Sequence, residues 1–443
     1  MKLRQTDRKI LGIAMPAIVS NITVPLLGLV DVAIAGHLGS AAYIGAIAVG
    51  TMVFNVIYWV FGFLRMGTSG LTAQALGGRS LVGAATTLAR SLMVALVVAA
   101  AILVLQVPLG SIAIKATGAT GDIAVSAHAY FRICVWGSPA MLGLYALTGW
   151  FIGMQNTRIP MLVSIVQNVV NIAASLVFVY AAHWRVEGIA AGTLVAQYAG
   201  LLMAAGLWAK YYGVRMIKRV EWGGVCRRDA LMKFFAVNRD IFLRTLFLVA
   251  VNFYFLSAGA AQGAVVLAVN TLLMQLFTLF SYIMDGFAYA GEALCGRLYG
   301  AGNVVEFSRM VRRLFIWGGA LTAAYTLAYA LGGSGFLTLL TDDSAVIGEA
   351  SHYFAWAVLI PVAGVAAFVW DGVFIGITAT RGMLAATAVA AAVFFAVNAS
   401  LAHLLHNHAL WLAFLMFLFT RGAVQTFVYG RRGFWNGFRT SGT

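Results

Sequence analysis

Asp31 is a carboxylate inside a long apolar segment that begins near Pro16. The segment predicts a helix buried in lipid, and an ionised carboxylate at the centre of a bilayer costs roughly 3 kcal/mol on insertion scales. A chain that keeps such a residue usually gains a function from it. Binding a proton or a cation is the chemistry that a buried carboxyl group can perform, and we predict that Asp31 performs it.

The composition predicts a membrane protein. Hydrophobic residues make up 62% of the chain and charged residues only 10%, which excludes an ordinary soluble domain. Twelve apolar stretches are long enough to cross a hydrocarbon core of about 30 Å, which takes roughly 20 helical residues. Helices are expected because backbone groups in lipid must pair within the segment. The predicted spans are 10–35, 44–75, 84–108, 122–153, 159–181, 188–210, 237–258, 263–296, 307–331, 346–377, 383–404 and 409–429.

Basic residues are distributed unevenly between the two sides of the predicted membrane. Short cytoplasmic loops collect Lys and Arg, and of the 29 such residues only Lys115 and Arg185 are predicted in loops opposite the N-terminus. Both termini are therefore expected in the cytoplasm. The net charge of +15 then reflects topology and attraction to anionic membrane lipid, and nucleic acid is not expected as a partner. Five further basic residues are predicted within or at the edges of spans: Arg65, Arg90, Arg132, Arg244 and Arg421.

The chain divides at its longest basic and polar stretch. We predict that 211–236 is a cytoplasmic linker between an N-lobe at 1–210, with helices 1 to 6, and a C-lobe at 237–443, with helices 7 to 12. Because each lobe has an even number of spans, both enter the membrane from the same side. This arrangement predicts a parallel repeat about an axis along the membrane normal.

An internal repeat supports this division. When the segment 151–158 is aligned with 374–381, five of eight positions agree, and the same shift along the chain aligns Gly77 with Gly300. We therefore predict an all-α integral membrane fold of twelve transmembrane helices, in two pseudo-symmetric six-helix bundles around a central cleft. Two such bundles can expose the cleft to either side in turn, which favours a secondary transporter.

Motifs of other function classes are absent from the sequence. There is no phosphate-binding P-loop, no His-Glu-x-x-His and no nucleophile elbow. The three cysteines match no zinc pattern and predict no disulfide framework. We expect no enzymatic activity, no cofactor and no metal centre, since an enzyme within the membrane would need a constellation of His, Ser or metal ligands.

Four groups of residues resemble the multidrug and toxic compound extrusion (MATE) transporters, and within them the DinF-type branch. The resemblance extends over nearly the whole chain. It is carried by Met15-Pro16 and Val30-Asp31 in the first predicted span, by residues 61–74 in the second, by 285–294 in the eighth and by 370–380 in the tenth.

This resemblance implies multidrug efflux by cation-coupled antiport across the bacterial inner membrane. A proton or a sodium ion that enters down its gradient would drive small organic compounds outward, and these substrates would be cationic or amphipathic. We expect a monomer. A flippase for a lipid-linked precursor, in the same superfamily, is the alternative, and it should show an Arg-rich cavity.

The resemblance also implies a coupling site in the N-lobe. Asp31 matches the family's carboxylate in helix 1, Asn171 its amide in helix 5 and Thr193 its hydroxyl in helix 6. The family pattern usually puts a second carboxylate one turn after the asparagine, where this chain has Ser175. One formal negative charge suits a proton better than a hard cation that wants several oxygens, so we favour protons over sodium. The resemblance places a proton-linked bend of helix 1 at Pro16.

Four other charged residues within spans need an interpretation of their own. Arg65 is either a counter-charge to a helix carboxylate or a packing residue of helix 2. Asp285 and Asp371 could relay protons, contact cationic substrates or pair with Arg244, since charge is costly at their depth. Glu292 lies two turns closer to the cytoplasm than Asp285, where structural capping is the expected role.

Overall fold

The protein is helical throughout the part of the chain that its computed structural model describes, residues 5–37, 41–340 and 343–431. The all-α fold predicted from hydropathy is therefore confirmed. The helices are α1 (Gln5–Gly36), α2 (Ala41–Phe61), α3 (Phe63–Gly77), α4 (Leu81–Val104), α5 (Gln106–Ala116), α6 (Gly121–Cys134), α7 (Ser138–Gly153), α8 (Arg158–Leu176), α9 (Val186–Trp208), α10 (Val214–Ile217), α11 (Trp222–Val225), α12 (Arg228–Ala261), α13 (Ala264–Gly300), α14 (Val304–Leu340), α15 (Ser344–Gly376), α16 (Thr380–Leu405) and α17 (Asn407–Gly430).

Ten helical segments within the described residues are long and apolar enough to cross a membrane. They coincide with ten of the twelve predicted spans. The first predicted span lies on α1, which runs as one helix through Pro16 and Pro25. The fourth is broken, because a 3-10 turn at Val135–Gly137 separates α6 from α7. Hydropathy alone did not predict this break.

The residues group into two compact units. One unit comprises the described residues of 1–18 and 239–443, and the other comprises those of 19–238. Both divisions fall within continuous helices, since α1 passes from one unit into the other after Ile18 and α12 does so after Asn238. The predicted lobes at 1–210 and 237–443 were defined by the basic and polar stretch between them, and these boundaries stay a prediction.

The same close helix contact occurs once in each unit. A Cβ on Gly149 of α7 would lie 2.2 Å from the carbonyl oxygen of Arg65 on α3, and a Cβ on Gly372 of α15 would lie 2.3 Å from the carbonyl oxygen of Ala288 on α13. Only glycine allows the two backbones to approach this closely. The shift that relates the two contacts is the one that aligns 151–158 with 374–381, so the three-dimensional structure contains the repeat that the sequence predicted.

The turns that follow these helices repeat as well. After α7 and α15, respectively, Gln155 has a φ of 64° and Thr378 a φ of 55°. After α3 and α13, Arg79 has a φ of 57° and Gly302 a φ of 66°. Both pairs are related by the same shift along the chain as the close helix contacts. The two halves therefore share helix ends as well as helix contacts.

The predicted linker carries short helices and is fixed to the unit of residues 19–238. The buried guanidinium of Arg90 on α4 donates from Nε to the carbonyl of Val225 (3.0 Å) and from Nη2 to that of Gly224 (2.7 Å). The backbone N–H of Glu221 donates to Oγ1 of Thr86 at 3.2 Å. Arg90 thus donates hydrogen bonds to the last carbonyl groups of α11, which have no partner within their own helix.

Candidate functional site

Asp31 lies in the second half of α1 and is only 5% exposed. Its Oδ1 atom has no hydrogen-bond partner among the residues that the structure describes. Tyr130 and Cys134, both buried on α6, lie within electrostatic range of this carboxyl group. A buried carboxylate without a partner is costly, so this position has the property expected of a group that takes up a proton or a cation.

The amide and hydroxyl candidates lie on α8 and α9. Nδ2 of the fully buried Asn171 donates to Oγ1 of Thr193 at 3.0 Å, and that hydroxyl donates to the carbonyl of Ile189 at 3.1 Å. The structure therefore brings Asn171 and Thr193 together as the resemblance implied. Oδ1 of Asn171 and Oγ of Ser175 are buried and lack partners within the described ranges. Two acceptor atoms thus remain open on one face of α8.

Ser175 occupies a tight position between α8 and α9. It is fully buried, and a Cβ on Gly192 of α9 would lie 2.2 Å from its Oγ and 2.7 Å from its backbone nitrogen. The glycine is what allows the two helices to approach at this point. The serine hydroxyl fills the available space, so the chain holds a small neutral group where the family pattern has a carboxylate.

Polar side chains form hydrogen bonds between α1 and α8. The sequence analysis did not predict these contacts. Oγ1 of Thr23 and Oγ of Ser164 lie 2.9 Å apart, and Oγ1 of Thr23 donates to the carbonyl of Ser20 at 2.7 Å. Nδ2 of Asn168 donates to the backbone carbonyl of Thr23 at 2.8 Å. We call these four residues the α1–α8 clasp. The signal that could have found it is the spacing of polar residues on α8, which recur at 164, 168, 171 and 175.

The second unit contains a buried cluster around Asp371 on α15. Arg244 of α12 donates from Nη2 to Oδ2 of Asp371, Arg421 of α17 donates to the same oxygen at 2.6 Å, and Nε2 of Gln425 donates to Oδ1 at 2.8 Å. All four side chains are buried. Pairing with Arg244 was one of three roles open to Asp371, and the structure contains that pair. The sequence placed Arg421 within or at the edge of a span, but neither Arg421 nor Gln425 was identified from it as a partner of Asp371, although they lie one helical turn apart.

The remaining candidates occupy other surroundings. Asp285 is half-buried on α13 and lies within electrostatic range of Arg421. Glu292 is 1% exposed, and its carbonyl oxygen lies 2.7 Å from where a Cβ on Gly376 would be. Arg65 is half-buried on α3, at the close contact with Gly149. Arg65 and Glu292 thus both belong to close contacts between helices.

The chemistry available in the unit of residues 19–238 is that of oxygen acceptors. Within the described part of the chain, no group of three or more His, Cys, Asp or Glu side chains is placed to hold a metal ion. Asp31, Asn171 and Ser175 together offer one carboxylate, one amide oxygen and one hydroxyl. The carboxylate can accept one proton, and the amide and hydroxyl oxygens can accept hydrogen bonds.

Comparison with known proteins shows the family. The family model MatE matches residues 16–177 and 241–401, one segment in each half of the chain. The DNA damage-inducible protein F of Escherichia coli (strain K12) is 37% identical over 97% of this chain and 93% of its own length. The multidrug resistance protein MdtK of Edwardsiella ictaluri is 22% identical over 86% of this chain and 84% of its own.

Solved structures share the fold. A crystal structure of a MATE protein in a bent conformation matches with a TM-score of 0.88, at 20% identity, over 99% of this chain and 98% of that one. A MATE structure in a straight conformation matches with a TM-score of 0.84, also at 20% identity. Taken together with the family model and the relatives, these matches show that the chain belongs to the MATE family, whose members are transporters that extrude small organic compounds and are not enzymes.

Proposed function

We propose that this protein is a proton-coupled antiporter that exports small cationic or amphipathic organic compounds, with Asp31 as the coupling residue. The observation that carries the proposal is the buried carboxylate of Asp31, whose Oδ1 has no partner among the described residues. Buried carboxylates are usually paired or neutralised. A buried carboxyl group with an unpartnered oxygen is suited to exchange a proton during each cycle.

The register of α1 on α8 supports a common site for the four coupling candidates. In the α1–α8 clasp, residue numbers rise together along both helices, so the two helices run in the same direction there. Asp31 lies about 12 Å further along α1 than Thr23, and Ser175 lies about 10 Å further along α8 than Asn168, at 1.5 Å per residue. This register supports a similar level for Asp31 and Ser175, with Asn171 about one turn before Ser175 on α8.

The internal repeat gives independent support. Under the shift that relates the two halves, the positions equivalent to Asp31, Asn171 and Ser175 are Tyr254, Phe394 and Asn398. These three contact one another, since Nδ2 of Asn398 donates to the Tyr254 hydroxyl at 3.0 Å and the rings of Tyr254 and Phe394 are 5.9 Å apart. Equivalent positions in a repeated bundle should make equivalent contacts, which favours a cluster of Asp31, Asn171 and Ser175.

The donor set favours protons over sodium. A hard cation prefers several oxygen ligands with more than one negative charge among them, and Ser175 stands where the family pattern has its second carboxylate. A proton needs only the carboxylate of Asp31. Sodium coupling would require the neutral oxygens of Asn171, Ser175 and Thr193 to supply the rest of the coordination shell, although one of them already receives a hydrogen bond.

The proposed cycle links the charge of Asp31 to the shape of α1. Ionised Asp31 favours the outward-open, substrate-loaded states, and a proton from outside removes its charge. Pro16 has no N–H and leaves the carbonyl of Gly12 without a helical partner, so α1 can bend there at low cost. Substrate is then expelled as the cavity narrows. Pro16 belongs to one unit and Asp31 to the other, which fits a helix whose bend is linked to its charge.

The C-terminal carboxylates have different proposed roles. Asp371 accepts from three buried side chains and is therefore assigned to structure. Asp285 is the candidate for contact with substrate, as it is only half-buried. Arg65 is assigned to packing of α3. The distribution of Lys and Arg supports a multi-pass protein of the bacterial inner membrane with both termini in the cytoplasm.

The test is efflux of a fluorescent organic cation from proteoliposomes under an imposed proton or sodium gradient. We compare the parent with Asp31→Asn and, as a matched control, with Asp122→Asn, which makes the same change at an exposed carboxylate. Efflux should follow the proton gradient alone, should be abolished in Asp31→Asn and should be unchanged in Asp122→Asn. Efflux driven only by sodium would overturn proton coupling, and normal transport by Asp31→Asn would overturn the assigned site. If neither gradient moves the cation, the flippase alternative takes precedence.

A further inference from the structure

One face of α8 carries four polar residues, Ser164, Asn168, Asn171 and Ser175. At 3.6 residues per turn these positions fall within about 60° of one another. The proposed coupling site uses Asn171 and Ser175 at the C-terminal end of this face. The other two residues lie closer to the start of α8, and the proposed chemistry does not use them.

Ser164 and Asn168 both contact α1, and they do so at its backbone. Nδ2 of Asn168 donates to the carbonyl of Thr23 at 2.8 Å, and Oγ of Ser164 lies 2.9 Å from Oγ1 of Thr23 and 3.5 Å from the carbonyl of Ser20. All four residues are partly buried. A hydrogen bond to a backbone carbonyl of α1 holds the helix backbone itself. Such a bond does not depend on which side chain α1 carries at the residue that accepts it.

The position of the α1–α8 clasp on α1 is what gives it a functional meaning. It lies between Pro16, where the proposed bend occurs, and Asp31, which takes the proton. A rotation or shift of α1 that extends from Pro16 to Asp31 includes Thr23, since α1 is one continuous helix. If a bend at Pro16 is linked to the charge at Asp31, the hydrogen bonds of the clasp must therefore change during the cycle.

We propose that Asn168 and Ser164 are positioning residues of the transport cycle, which hold α1 at Thr23 so that α1 moves only when Asp31 is protonated. This inference rests on the proposed function. Without the clasp, α1 would bend independently of the proton, and substrate could cross without proton movement. The residues make export obligatorily coupled, and they touch neither the proton nor the substrate.

The test separates coupled from uncoupled movement. Two readouts are measured in proteoliposomes: uphill efflux driven by a proton gradient, and exchange of labelled for unlabelled organic cation without any gradient, which needs the conformational change alone. Asn168→Leu removes the amide at similar size, and Ser164→Ala removes the hydroxyl. The matched control is Gln167→Leu, since Gln167 is the neighbouring amide on α8 and its Nε2 faces Sδ of Met141 on α7 instead of α1.

Hydrogen bonds between helices in lipid have modest strength, which sets the expected size of the effect at about 3- to 20-fold. Asn168→Leu should lose proton-driven uphill efflux by that factor while keeping gradient-free exchange. Ser164→Ala should show the same pattern, Ser164→Thr should restore coupling because it keeps the hydroxyl, and Gln167→Leu should behave as the parent.

Two outcomes overturn the inference. Parallel loss of both readouts in Asn168→Leu, together with a lower unfolding temperature, would show that the clasp only stabilises the fold. Normal values of both readouts in Asn168→Leu and Ser164→Ala would show that the clasp has no role in coupling. Failure of the proposed function gives a different result. The parent would then show no proton-driven efflux, or the Asp31→Asn variant would still show it.

Discussion

Asp31 and Asp371 are the same chemical group in opposite surroundings. Asp31 is buried with its Oδ1 unpartnered among the described residues, whereas Asp371 accepts from Arg244, Arg421 and Gln425. A carboxylate held by two guanidinium groups is stabilised in its charged form. One carboxylate is therefore suited to change its charge and the other to keep it.

This contrast predicts opposite effects on stability. Asp371→Asn should destabilise the protein by about 3 to 5 kcal/mol, because two buried arginines lose the negative charge that compensates them. Asp31→Asn should leave the unfolding temperature unchanged or raise it, because it removes a buried charge without a partner. Thermal unfolding of both variants in detergent checks this, and equal losses in the two would contradict the assignment of separate roles.

The coupling residues were accessible to sequence reasoning only in part. Asp31 was identified because a charge inside an apolar span is rare, and Asn171, Ser175 and Thr193 came from the family pattern. Asn171 donates a hydrogen bond to Thr193 in the structure. The roles of all four stay a prediction. The clasp residues could not be found in this way, because serine, threonine and asparagine are ordinary within membrane helices and only packing decides which of them meet.

At the scale of helices, the fold could be predicted because hydropathy marks each span directly. The repeat was visible in the short motif shared by 151–158 and 374–381, and it proved to extend to backbone contacts and turns. The break at Val135–Gly137 was not predicted, because the residues on both sides of it are apolar. The helices and their repeat can thus be predicted from short stretches of sequence. The partners of Asp371 cannot, because they depend on which faces of distant helices meet.

The close contacts of the repeat predict a matched pair of variants. Gly149→Ala and Gly372→Ala should both lower the unfolding temperature, since each new Cβ would lie within 2.3 Å of a backbone carbonyl oxygen that cannot move alone. Gly206→Ala is the control: its Cβ would meet nothing within 4 Å, and alanine favours a helix by up to about 1 kcal/mol. Thermal unfolding of the three variants tests this prediction. Tolerance of alanine at both 149 and 372 would contradict the close approach of the helices.

At the scale of the whole molecule, the two halves share a scaffold and differ in chemistry. Tyr254, Phe394 and Asn398 stand in the second half where the first has its coupling candidates. None of the three carries a charge, so the proposed coupling belongs to the first half alone. The second half instead contains the buried ion cluster around Asp371.

Proton coupling predicts how the whole protein responds to salt. A bound ion stabilises a protein by about 2.7 kcal/mol when its concentration is one hundred times the dissociation constant. Exchanging potassium for sodium at constant ionic strength should therefore leave the unfolding temperature in detergent unchanged. A rise specific to sodium that disappears in Asp31→Asn would contradict the preference for protons.

The packing of Ser175 against Gly192 also bears on how such transporters diverge. A Cβ on Gly192 would lie only 2.2 Å from the serine hydroxyl, so α8 and α9 pack closely at this point, where both residues are small. An acidic side chain is longer than serine, so we expect that one at 175 would need α8 and α9 to lie further apart at this point. A substitution that introduces a carboxylate at 175 is therefore expected to require an accompanying change in α9.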